Sequence, residues 1–97
     1  MIAREMTMKE TLQALLGKEV VIDTRSPWMY IGRLESLQAD SLLLRDVDVH
    51  DCGETPLPKE RYVIDSCATG IKANRRSVYV NLEYVVSVSP LAEVIRY

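Results

Sequence analysis

Gly17 divides this chain into two kinds of sequence. Before it, Met8, Leu12, Leu15 and Leu16 recur at helical spacing and draw one apolar stripe. After it, Val20, Val21 and Ile22 stand side by side, β-branched and unsuited to a helix start. From there the apolar residues come in short runs broken by turn residues, the pattern of strands. Thr7 followed by Glu10 is a capping box. Gly17 sits where a helix-ending glycine belongs. The spacing predicts a helix over about 7–16, and strands from there on.

The first strand is expected over Glu19–Arg25, ended by the Ser26-Pro27 turn. The second covers Trp28–Gln38, with Trp28, Tyr30, Gly32 and Leu34 on one face. A glycine in mid-strand marks a sharp bend or a close backbone approach. Ala39-Asp40-Ser41 turns the chain into a third strand, Leu42–Val49. Strict alternation there puts Asp46, Asp48 and His50 on one face and Val47 and Val49 on the other. The stretch 50–76 then breaks the pattern and reads as an insertion. Within it two readings stand side by side: a helix over Thr55–Ala68, with Pro58 in its first turn and Gly70 at its end, or a strand over Arg61–Asp65. As a helix it would carry a partial apolar face of Tyr62, Val63 and Cys67. Ser77–Asn81 and Tyr84–Ser89 are the last two strands, and Pro90 stops the second of them. The tail from Leu91 packs back.

Ninety-seven residues hold one core, so the chain reads as a single domain over 1–97. Five short strands cannot build a two-sheet sandwich with a sizeable core. They are better satisfied by curling into a small, strongly bent antiparallel barrel of SH3-like type behind the N-terminal helix. The expected class is therefore mainly β, with the insertion between strands 3 and 4.

Composition narrows the function. Twelve basic and fourteen acidic residues give a net charge of −2, which argues against a bulk polyanion binder but leaves room for a local basic patch. With no Phe, one Trp and five Tyr, a broad stacking platform is excluded. No apolar run reaches membrane-span length and no signal-peptide core is visible, so a cytoplasmic protein with reduced thiols is expected. Cys52, Cys67 and His50 fall one ligand short of a closed zinc site, and no cofactor motif is present. Cys67 with His50 as base would lack a third, orienting group, so no catalytic residue is assigned. Asp46, Asp48, His50 and Asp51 are the densest set of hard ligands. Alternation along one strand makes them either a divalent-cation face or simply its water-facing side. Trp28 is a stacking residue at a barrel mouth or a subunit contact. Asn74-Arg75-Arg76, with Lys72 nearby, is the clearest basic cluster, suited to phosphates or to pairing with Asp46 and Asp48.

One resemblance runs through these elements. Leu16-Gly17-Lys18-Glu19-Val20 after a helix, Tyr30-Ile31-Gly32-Arg33-Leu34 on a bent strand, and Leu42-Leu43-Leu44 are similar to the first motif of the Sm-like family, which includes Sm, LSm and Hfq proteins. Val78–Pro90 stands for the second motif. The resemblance implies a cyclic homo-oligomer of about five to seven subunits, closed through the edges of strands 4 and 5. It also implies an RNA site where the turn after strand 2 meets the turn after strand 4. Here those places hold Gln38 and Asp40, and Asn81-Leu82 in place of Arg-Gly; the Lys-His of Hfq is absent. The nucleic-acid-binding set is thus Gln38, Asp40, Lys72, Asn74, Arg75, Arg76 and Asn81. Two functions follow: a non-enzymatic ring that binds RNA, or a protein-interaction module that keeps the fold and has lost the RNA site.

Overall fold

The computed structural model describes residues 5–53 and 58–95. The helix α1 covers Met8–Ala14 and carries the complete capping box: the Thr7 hydroxyl accepts from the Glu10 N–H, and the Glu10 carboxylate accepts from the Thr7 N–H. Gly17 follows in the left-handed region at φ 84°, which a glycine adopts without strain. The expected stripe is only half used. Leu12 is fully buried and Leu15 packs beside it, while Met8 and Leu16 stay exposed because so short a helix lays down a single contact turn.

Five strands follow: β1 Glu19–Thr24, β2 Trp28–Leu37, β3 Ser41–Asp51, β4 Arg75–Asn81 and β5 Val85–Pro90. All neighbours are antiparallel, in the order β4-β3-β2-β1-β5, so β4 and β5 are the two edges of one bent sheet. Inside the bend lies the main core of Leu12, Val20, Ile22, Leu34, Leu42, Leu44, Val47 and Val80. The unbroken run Val20-Val21-Ile22 has a physical reason: β1 is covered on both sides. Val21 faces a second cluster with Met29, Ile31, Tyr62 and Leu91.

That second cluster is built by the insertion. Helix α2, Lys59–Thr69, follows Pro58 and ends at Gly70, at φ 88°. The helical reading of 55–68 therefore holds over its described part and the strand reading of Arg61–Asp65 does not; residues 55–57 lie outside the described residues. Tyr62, Val63 and Cys67 face the sheet as expected. Leu91 and Val94 fold back beside them, through a 3-10 turn at Leu91–Glu93.

Three features that bear on the site differ from the sequence reading. Strand β3 continues through His50 and Asp51, and β4 begins at Arg75, so the insertion is shorter than 50–76 and both arginines belong to a strand. Tyr84 lies in a 3-10 turn, Leu82–Tyr84, capped by Asn81, and not in β5. The third difference concerns faces. Ile31 pairs with Asp48 and Arg33 with Arg45, so Gly32 alone opposes two residues, Asp46 and Val47. This is a β-bulge, with Asp46 in the left-handed region at φ 51°. The extra residue inverts the alternation. Val47 and Val49 join Leu42 and Leu44 inside the bend, while Asp48 and His50 turn to the outer face under α2. The three polar residues therefore do not form one water-facing stripe.

A Cβ at Gly32 would stand 3.0 Å from the Arg45 carbonyl oxygen and 3.2 Å from Val47 Cγ2. Replacing Gly32 with Ala is expected to lower stability by about 1–3 kcal/mol through overpacking. Urea unfolding checks this: the midpoint falls with the slope unchanged.

Candidate nucleic-acid interface

The sheet register sorts the expected site residues into two groups. Ser41 pairs with Asn81 at one end of β4, and Val47 pairs with Arg75 at the other. Six residue steps along the strand separate them, about 20 Å at ~3.3 Å per residue. Gln38, Asp40 and Asn81 are brought together; Lys72, Asn74, Arg75 and Arg76 lie at the far end.

The near end is held by backbone. The Gln38 N–H donates to the Ser41 carbonyl at 2.8 Å, closing the β2–β3 turn. The Leu82 N–H donates to the Asp40 carbonyl at 2.9 Å, tying that turn to the one after β4. Lys9 of α1 reaches the Ala39 carbonyl at 3.0 Å. Gln38, Asp40 and Asn81 are all exposed. The Asn81 Oδ1 accepts from the Glu83 N–H at 2.9 Å, which fixes its rotamer and leaves its amide N–H₂ outward as a donor. The Asp40 carboxylate makes no ion pair among the described residues.

Sequence reasoning missed a pair beside this end. The Arg25 guanidinium lies 5.2 Å from the centre of the Tyr84 ring, and the same residue donates to the Glu83 carbonyl. Tyr84 is 55% exposed, one turn from Asn81. Its position inside an apparent strand hid it. Arg25 approaches only because Thr24 pairs with Val85 across the sheet.

At the far end the basic residues differ in kind. Asn74 is engaged with the fold: its Oδ1 accepts from the Val49 N–H at 3.0 Å and its Nδ2 donates to the Val49 carbonyl at 3.0 Å. Its side chain so extends the β3 ladder before β4 begins. Arg75 donates to the Asn74 carbonyl at 2.9 Å. The expected pairing of Arg75 and Arg76 with Asp46 and Asp48 is not formed; Asp46 pairs with Arg33 at 3.2 Å instead, because the bulge turns it there. Arg75 and Arg76 are exposed and line a shallow cleft of about 250 Å³ with Asp46 and Asn74.

The cysteine chemistry has no support. Cys67 Sγ points to the Val94 carbonyl at 3.8 Å, and the His50 ring stacks on Tyr62. Burial pushes the Cys52 thiol up, away from a reactive thiolate. Both cysteines are free. Among the described residues no three His, Cys, Asp or Glu side chains converge as metal ligands, and no helix is long and apolar enough to cross a membrane.

Comparison with known structures defines the fold. An Sm protein of Pyrococcus abyssii, solved in complex with a uridine heptamer, superposes with a TM-score of 0.60 at 15% identity, over 88% of this chain and 99% of that one. The SmAP1 heptamer of P. aerophilum gives 0.54 at 23%, over 90% and 96%. An Sm-like protein of Archaeoglobus fulgidus gives 0.60 at 11%, over 91% and 99%. No protein-family model and no curated protein matches the sequence. The chain has the Sm-like fold. In this chain α2 and the second cluster beneath it lie on one side of a bent five-stranded sheet whose edges are β4 and β5.

Replacing Asn74 with Ala leaves the Val49 N–H and carbonyl without their side-chain partners. A loss of about 1–2 kcal/mol in thermal or urea unfolding is expected. Asn74→Asp is expected to do no better, since it removes the donor and adds a charge beside Asp48.

Proposed function

We propose that this protein is a non-enzymatic subunit of a cyclic homo-oligomer that binds RNA. One observation carries the reading: the sheet order leaves β4 and β5 as free edges, and the turn between them brings Asn81 against the Gln38–Asp40 loop. An open edge of β-branched residues is a template for another strand. Val78 and Val80 on β4, with Val86 and Val88 on β5, supply it, and Tyr79 and Val86 are exposed on those strands. The β4 edge of one copy pairs with the β5 edge of the next. Because the two edges differ, the contact is heterologous and closes by rotation into a ring of about five to seven subunits. Two of the structures described above were solved as a heptamer and with a uridine heptamer, which supports the reading.

In such a ring the Gln38, Asp40 and Asn81 groups recur around the axis. Amides read base edges with one donor and one acceptor. Tyr84, backed by Arg25, offers a ring for stacking. Lys72, Arg75 and Arg76 hold phosphates at the opposite end of β4, with Asn74 fixing their strap. The reduced thiols suit a cytoplasmic protein.

Light scattering at micromolar concentration is expected to return a multiple of 11.0 kDa, and a monomer mass would remove the ring. Filter binding at low salt is expected to retain single-stranded uridine-rich RNA, with affinity falling steeply as salt rises. Arg75→Ala with Arg76→Ala should weaken binding across sequences and leave the ring intact. Asn81→Ala should alter base preference. An intact ring that retains no RNA would favour the protein-interaction module.

A further inference from the structure

The bulge places Asp48 and His50 under α2, and there a pocket of about 260 Å³ opens, lined by Asp48, His50, Tyr62, Asp65, Ser66 and Lys72. The His50 and Tyr62 rings stack at 4.0 Å between centres, 11° from parallel. Tyr62 is only 5% exposed, and its hydroxyl is buried with no well-formed hydrogen bond, although Asp48 and Ser66 lie close. The His50 Nε2 is likewise buried and unpartnered. With Asp48 and Ser66 beside the hydroxyl, the buried imidazole nitrogen of His50 is the atom left to seek a partner.

The pocket's size and chemistry select among partners. One water takes about 30 Å³, far less than this space. Pockets for drug-sized molecules start near ~300 Å³, so the space suits a single flat ring system. A bare metal ion finds too few ligands among the described residues. A bare anion would meet the Asp48 carboxylate. Asp65 is already paired with Arg61 at 3.3 Å. What fits Asp48, Ser66, Tyr62 and His50 together is a planar edge carrying donors and acceptors side by side. The cations stand just outside: Lys72 at the rim, then Arg75 and Arg76 in the adjoining cleft, with no carboxylate partner among the described residues.

We propose that the pocket between β3 and α2 binds a nucleoside monophosphate unit, its base on the His50–Tyr62–Asp48–Ser66 edge and its phosphate on Lys72 and the arginines. This site is separate from the Gln38–Asp40–Asn81 end and does not depend on it. The unit is either a free nucleotide or one residue of an RNA strand.

His50 is the only histidine in the chain, so its imidazole signals in NMR report on this pocket alone. The wild-type protein is titrated with uridine monophosphate, adenosine monophosphate, short uridine and adenine oligoribonucleotides, and inorganic phosphate. A saturable shift of the His50 signals with one of the nucleotides or oligomers, and none with phosphate, is expected. Response to mononucleotides identifies a free-nucleotide site; response to oligomers alone identifies an RNA-strand site. Tyr62→Phe and Lys72→Ala are expected to weaken that response at least about tenfold. Circular dichroism and light scattering confirm that the variants keep their fold and assembly. No shift at millimolar nucleotide or oligomer, or an equal response in folded Tyr62→Phe, would overturn the proposal. RNA retained on filters with His50 silent would do so while leaving the loop-end reading standing.

Discussion

Where β2 crosses β3, the backbone of Gly32 lies so near the Arg45 carbonyl and the Val47 side chain that a Cβ there would be tightly crowded. The missing side chain lets the two strands approach without crowding. Opposite it, β3 carries one residue too many, and Asp46 absorbs the excess in the left-handed region. The alternation along β3 changes sense at this point. Leu42 and Leu44 face the inner core before the bulge, and Val47 and Val49 face it after. Without the shift, Asp48 and His50 would enter an apolar core, at a cost of several kcal/mol for the carboxylate alone. A smaller shift on β2, between Leu34 and Ser36, works in the same sense. It keeps Leu34 and Leu37 on the core while Glu35 turns out to pair with Arg45.

The same bulge makes room for α2. Once Asp48 and His50 face outward, the outer side of β1, β2 and β3 presents Val21, Met29 and Ile31 with polar groups at one margin. An apolar face of that size is not left in water by a small domain. Tyr62, Val63 and Cys67 of α2 and Leu91 and Val94 of the tail cover it. Lys59 closes the other margin through Asp23 at 2.6 Å and the carbonyls of Thr24 and Ser26. The insertion is therefore a second packed layer, and its polar seam against β3 is the pocket beside His50.

The two ends of β4 have different chemistry because different constraints made them. At Asn81 the chain must turn toward β5, and the asparagine caps the 3-10 turn while keeping its amide outward. At Asn74 the chain must enter the sheet from the insertion, and the asparagine replaces a missing ladder contact. One side chain is exposed at a turn and the other is held by Val49. Sequence shows two asparagines near basic or turn residues and no way to tell them apart.

Much of this protein is legible in its sequence. The Thr7–Glu10 cap, the break at Gly17, the β-branched run of β1, the mid-strand glycine and the Pro58–Gly70 limits of α2 are local matters, settled by backbone preference and hydrogen bonds within a few residues. The edge positions of β4 and β5 and the grouping of Gln38 and Asp40 with Asn81 follow from the family resemblance of the same segments. The sense of β3 after Asp46 is not local. Alternation over 46–50 reads equally well in either sense, and only the packing of Gly32 against Val47 decides which residues go inside. The sequence sets Asp48 and His50 opposite Val47 and Val49 as the structure does, but it carries Leu42 and Leu44 to the polar side, whereas the bulge keeps them with the valines. Arg25 meets Tyr84, and His50 meets Tyr62, across gaps in sequence that only strand pairing and helix docking close. Contacts of that kind depend on where whole elements settle when both faces of the sheet are buried, and no short stretch of chain contains that information.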